Sequence, residues 1–183
     1  MIILLQEPII TRAELLVAGH NGLNEAVEHL VAVELEVAQL HHRDGVGKIA
    51  REVALIDVQA NAHDDGMTIV KEFPKVKGVF HCYSGSAEMA RQLVDKGWYI
   101  GFTGVLTFKN ARKAVEVAQS IPLERIVLET DCPYMAPEPF RGKRNDPGKL
   151  IRMAEKLAQL RGLSTEEAAR ITLENGKRLY RIP

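Results

Sequence analysis

The chain has 183 residues, 46% of them hydrophobic and 26% charged, with 24 basic and 24 acidic side chains in balance. That is enough for one domain with a real core, and short of the roughly 250 residues typical of a complete eight-stranded α/β barrel. The zero formal net charge excludes a global basic field, so any binding of nucleic acid must rest on a local patch.

The opening Met1-Ile2-Ile3-Leu4-Leu5 lacks the basic start and small-residue cleavage site of a signal peptide, and no apolar run is long enough to cross a bilayer. No membrane partner is expected. Val31, Val33, Leu35 and Val37 alternate with Ala32, Glu34, Glu36 and Ala38, a strand pattern set in a composition that favours helix. The composition predicts a helix over Leu23 to Leu40. A linker-like break follows at Arg43-Asp44-Gly45-Val46-Gly47, and Asp64-Asp65 can cap a helix that begins near Met67. His20, His29, His41, His42 and His63 have nothing convergent beside them, so surface or capping roles are preferred to ligation.

From Lys77 to Cys82 the chain reads as a strand, with Val79 and His81 on one face and Phe80 and Cys82 on the other. Residues 86–96 have helical spacing around Met89 and Leu93 and stop at Gly97. A strand over Trp98 to Phe102 and a helix over Ala111 to Gln119 come next, the helix closed by Ile121-Pro122. Ile126-Val127-Leu128 is a short apolar run of the kind that forms a buried parallel strand. By alternation, Glu129 and Asp131 beyond it share a face. His81 joins them only if both functional faces turn inward. Strand, helix, strand, helix, strand with short connections argues for right-handed crossovers and an α/β fold with parallel strands, whose chemistry collects at the carboxyl ends. Cys82 and Cys132 are expected on the helix-facing side as reduced core residues of a cytoplasmic protein.

After the carboxylates, Pro133, Pro137 and Pro139 stiffen a loop that concentrates Arg141, Lys143 and Arg144 around Gly142. Three cations beside an Asp-tipped strand suit an anionic group such as phosphate. Residues 146–161 are amphipathic, with Pro147 fit for a first turn and Gly162 for the stop. Ser164 and Glu167 form a capping box for a helix to about residue 173, and a last segment runs from Asn175 to Tyr180.

Four blocks stand in a telling order: His81-Cys82-Tyr83-Ser84-Gly85-Ser86; Gly101-Phe102-Thr103-Gly104 with Thr107-Phe108-Lys109; Glu129-Thr130-Asp131-Cys132-Pro133; and Pro139-Phe140-Arg141-Gly142-Lys143-Arg144-Asn145. In that order they resemble the TatD-type metal-dependent deoxyribonucleases. The likeness is to the C-terminal half of that family and runs from about Ala62 to the end. The resemblance implies a partial TIM-like (β/α) barrel over residues 62–183, with residues 1–61 as an atypical N-terminal region. It implies a divalent metal ion (Mg²⁺, Mn²⁺ or Zn²⁺) held by His81 and Asp131 and hydrolysis of the phosphodiester bonds of DNA. Asp131 and Glu129 then become the catalytic pair, Asp131 orienting water. Arg141, Lys143, Arg144, Asn145 and Ser84 become the substrate-binding set.

This chain also departs from the family pattern. Residues 1–60 contain no His-x-His block and no fourth-strand glutamate block, and Val58 stands where the fifth-strand histidine is expected. Since a catalytic zinc site generally keeps three protein ligands, the expected metal affinity is weakened. The alternative reading is a catalytically silent fragment that binds nucleotides or a partner. Strands cut from a closed barrel leave unpaired edges and an exposed inner face. The expectation is that the N-terminal region or a second copy in a homodimer covers them.

Overall fold

The computed structural model describes residues 74–182 in full, together with the strand Ala54–Asp57 and Met67, Val70 and Lys71. The helix expected over Leu23 to Leu40, the break at 43–47, Val58 and the five histidines before His81 lie outside these residues. Met67, Val70 and Lys71 are helical, as the Asp64-Asp65 signal suggests.

Four short strands, β1 (Ala54–Asp57), β2 (Gly78–His81), β3 (Tyr99–Phe102) and β4 (Ile126–Leu128), form one sheet in chain order. Every pairing is parallel, with Asp57 beside His81, Phe80 beside Ile100 and Phe102 beside Leu128. Helix α1 (Ala87–Asp95) carries the chain from β2 to β3, and α2 (Arg112–Ser120) from β3 to β4. Consecutive parallel strands with a helix between neighbours make up an arc of a (β/α) barrel. Helices α3 (Leu150–Arg161) and α4 (Thr165–Tyr180) follow β4 in the chain.

The boundaries have local causes. Ser86 caps α1 by accepting the Met89 N–H, and Ser164 caps α4 by accepting the Glu167 N–H at 3.1 Å; each cap contributes about 1 kcal/mol. Gly162 ends α3 at φ 68, a left-handed conformation that costs glycine little. Helix α4 runs on through the region expected to be a separate last segment. Asn175 explains why: it is fully buried and donates its amide to the Leu123 and Ile126 carbonyls, each at 2.7 Å, so the helix is pinned to the start of β4.

Strand alternation divides the packing. Phe80, Ile100, Phe102, Ile126 and Leu128 face helices α1 to α4 and join Leu93, Trp98, Leu150, Met153 and Leu157 in the main core. Trp98 meets Phe80 edge to face at 5.3 Å. Val79, Tyr99 and Val127 face the other way and pack with Leu179 of α4, Tyr180 lying alongside. His81 continues the second series. The inner face therefore leads from an apolar floor to the polar strand ends.

Candidate metal centre

At the end of β2 the backbone turns sharply. Cys82 takes φ 45, a left-handed conformation unusual for a residue with a side chain. Two contacts hold the turn: the Cys82 N–H donates to Glu129 Oε2 at 3.1 Å, and the Tyr83 N–H donates to the Gly101 carbonyl at 3.0 Å. Because the strand stops at His81, alternation no longer governs Cys82, and its thiol does not join the helix-facing core. Instead Sγ lies 3.5 Å from Thr103 Oγ1, next to the carboxylates. Burial, outweighing the Thr103 hydrogen bond and aided by the negative charges of Asp131 and Glu129, pushes the Cys82 thiol up to about 12. Neither Cys82 nor Cys132 is in a disulfide.

The end of β4 supplies the acids by two different devices. Glu129 extends the ladder, its N–H donating to the Phe102 carbonyl at 2.9 Å, so strand geometry aims it inward. Gly101 on β3 makes room: a Cβ there would lie 2.2 to 2.4 Å from the Glu129 carboxylate atoms. Asp131 gets there by a turn, at φ 52, with its carbonyl accepting the Tyr134 N–H at 2.8 Å. The result is a convergence across fifty residues of chain. His81 Nε2 lies 2.9 Å from Asp131 Oδ1 and 3.5 Å from Glu129 Oε2. The shorter contact is an ion pair when His81 is protonated. His81 and Asp131 are each 24% exposed, open enough to meet solvent, whereas Glu129 is 12% exposed.

The loop from Pro133 to Asn145 is clamped to the loop after β3. Gly104 lies so close to it that a Cβ would sit 1.9 Å from the Met135 carbonyl oxygen. Thr107 Oγ1 accepts the Glu138 N–H at 2.8 Å, and the Arg141 guanidinium stacks over the Phe108 ring at 4.3 Å. Lys143 and Arg144 are exposed on the same loop, and Ser84 is exposed on the loop after β2. Asn145, grouped with the cations by sequence, is 1% exposed and donates its amide to the Thr130 and Tyr134 carbonyls, each at 2.7 Å. Its place is inside the loop, as a clip. Gly101, Gly104 and Thr107 enter the site through these contacts; for the two glycines the signal in the sequence is glycine at or just after a strand end, a mark of close backbone approach.

The donor types at the strand ends, one imidazole and neighbouring carboxylates, suit a divalent ion such as Zn²⁺, Mn²⁺ or Mg²⁺. Their number is the shortfall: among the described residues no group of three or more His, Cys, Asp or Glu could hold a metal ion. Glu129 directs Oε2 to the Cys82 amide, which leaves His81 and Asp131 as the close pair.

The family model described as TatD related DNase matches residues 36–181, a longer span than the sequence blocks that begin near Ala62. An uncharacterized metal-dependent hydrolase of Bacillus subtilis, YabD, is 47% identical over 138 residues, or 73% of this chain and 54% of that protein. Another from Escherichia coli, YcfH, is 36% identical over 167 residues, or 90% of this chain and 62% of that protein. Among solved structures, YJJV, a TatD homolog from Escherichia coli, matches at a TM-score of 0.61 and 33% identity over 67% of this chain and 48% of that one. A TatD family hydrolase from Entamoeba histolytica matches at 0.61 and 24% identity, covering 80% and 54%, a likeness of fold. The chain thus spans between about half and three-fifths of the length of the relatives it matches.

Proposed function

Because the chain belongs to the TatD related DNase family, we propose that it is a metal-dependent hydrolase of DNA phosphodiester bonds, with its metal affinity weakened. The observation that carries the reading is the 2.9 Å approach of His81 Nε2 to Asp131 Oδ1 at the carboxyl ends of two parallel strands. His81 and Asp131 would hold the ion, which when bound supplies Lewis-acid polarisation and a lowered pKa for water. Asp131, partly exposed, would orient a water molecule and take its proton. Glu129 keeps the His81–Cys82 turn in place through the Cys82 amide and so fixes the imidazole. Arg141, Lys143 and Arg144 would meet the phosphate charge, with Ser84 as a hydroxyl donor across the mouth. The two cysteines, neither in a disulfide, suit the reducing cytoplasm.

The shortage of donors among the described residues favours one alternative, a catalytically silent family fragment that binds nucleotides or a partner. The two readings separate in one experiment. The protein is titrated with Mg²⁺, Mn²⁺ and Zn²⁺ and given single-stranded DNA, beside Asp131→Asn and His81→Ala. Digestion that falls at least a hundredfold in both variants is the expected result. Equal digestion by all three proteins would mean a contaminating nuclease and would defeat the proposed site. Binding of DNA without cleavage at any metal concentration would leave the fragment reading. The region apart expected over residues 1–61 is narrowed by β1 (Ala54–Asp57), which is itself a strand of the sheet; we propose that the chain before Ala54, or a second copy, covers the sheet's open side. A monodisperse monomer that stays soluble after proteolytic loss of the residues before Ala54 would contradict this.

A further inference from the structure

Tyr134 is 64% exposed, more than the other exposed large hydrophobics among the described residues, Val76 at 40% and Met135 at 37%. A single exposed aromatic is ordinary. This one differs in how its backbone is held. Its N–H donates to the Asp131 carbonyl at 2.8 Å and its carbonyl accepts the Asn145 amide at 2.7 Å. The Pro133 carbonyl before it accepts the Asn145 N–H at 2.9 Å. Met135 after it takes φ 57, with its carbonyl pressed against Gly104.

Backbone strain points to the same place. The described non-glycine residues with positive φ are Cys82, Asp131, Met135 and Arg181, and the last is the ordinary cap of a helix end. Of the other three, Asp131 is a member of the His81–Asp131 pair, Cys82 follows His81 directly in the chain, and Met135 lies four residues beyond Asp131. Left-handed residues of this kind cost on the order of 1 kcal/mol or more each and gather where a site over-determines them. The loop thus holds its backbone rigid while projecting an aromatic ring into solvent, three residues from Asp131 and on the segment that carries Arg141, Lys143 and Arg144.

We propose that Tyr134 is a stacking platform for an unpaired nucleobase next to the phosphodiester at the His81–Asp131 pair. The inference rests on the reading of a nucleic-acid substrate given above and adds a specificity-determining residue to it. A cationic loop that follows the phosphates, combined with an aromatic face for a base, is how single strands are held without sequence preference. A base inside a duplex has both faces covered by its neighbours, so the ring selects frayed or single-stranded ends.

The test is fluorescence anisotropy with a labelled single-stranded DNA oligonucleotide and with an abasic oligonucleotide of equal length. EDTA is present throughout, so no cleavage occurs and no metal is needed. The intact protein is expected to bind the base-bearing strand about tenfold more tightly than the abasic one. Tyr134→Ala should bind both strands equally, at the abasic level, and Tyr134→Phe should keep the preference. Equal thermal unfolding of the three proteins shows that the exposed position leaves the fold alone. If the intact protein binds both strands with one affinity, or Tyr134→Ala keeps the preference, the stacking role is overturned and the nucleic-acid reading stands. If the intact protein binds neither strand, both are overturned.

Discussion

On its outer face the sheet presents Phe80, Ile100, Phe102, Ile126 and Leu128 to four helices, and on its inner face Val79, Tyr99 and Val127 pack with Leu179. The same strands carry both sets, one residue out of step. Moving one further step along the inner series replaces apolar side chains by His81 after Val79, Gly101 after Tyr99 and Glu129 after Val127. Cohesion is therefore concentrated on one face and chemistry at the rim of the other. Substitutions should separate accordingly into those that unfold the protein and those that empty the site.

The largest expected effect lies on the outer face. Leu93 of α1 is completely buried in the main core, and Leu93→Ala should lower unfolding stability by about 3 kcal/mol in urea denaturation. In the fraction that remains folded, oligonucleotide affinity should not change. A loss of affinity without a loss of stability would break the division between the faces.

Gly101→Ala probes the boundary between them, because the added methyl would lie 2.2 Å from Glu129 Oε1. Either the strand or the carboxylate must move. A cost of about 1–3 kcal/mol is expected, with weaker Mn²⁺ binding in a direct titration. Glu129→Ala should relieve it, so the Gly101→Ala/Glu129→Ala double variant should be more stable than the sum of the single effects predicts. Strict additivity would show that the close approach carries no weight.

Much of this arrangement was legible from residue order. Period-two alternation placed Val79 and His81 together and Phe80 opposite, and Ser86, Gly162 and the Ser164–Glu167 pair marked helix ends because caps act within three residues. Reach is where legibility stopped. Cys82 and Asp131 leave the strand pattern through left-handed backbone, so alternation put Cys82 on the wrong side and brought Asp131 inward for a reason other than the real one. Asn175 looked like a break, yet its partners Leu123 and Ile126 are about fifty residues away and make it a helix anchor. Strand β1 has four residues, and its pairing with β2 supplies what so short a run cannot signal alone.

Asn145 belongs to the same class of distant contacts and yields a sharper test of the loop. Removing its amide in Asn145→Ala strips the Thr130 and Tyr134 carbonyls of a shared donor inside the structure. A loss of about 1–2 kcal/mol is expected. Cleavage between residues 133 and 146 under limited proteolysis should also speed up, since the loop loses its clip while the strands keep theirs. Unchanged proteolysis would mean that the contacts to Gly104 and Thr107 suffice to hold the loop.

The smallest effect is expected where the loop meets solvent. The Arg141 guanidinium lies 4.3 Å from the centre of the Phe108 ring, which orients its charge at little entropic cost but leaves it exposed. A surface cation of this kind contributes to a phosphate contact mainly by displacing a counterion. Arg141→Gln should therefore leave thermal unfolding unchanged, weaken oligonucleotide binding a few-fold, and reduce the slope of log affinity against log salt by about 1. The salt slope is the deciding quantity. A few-fold loss with the slope intact would mean that Arg141 acts by packing on Phe108 and shaping the loop, whereas a reduced slope identifies its charge as part of the surface that meets the substrate backbone.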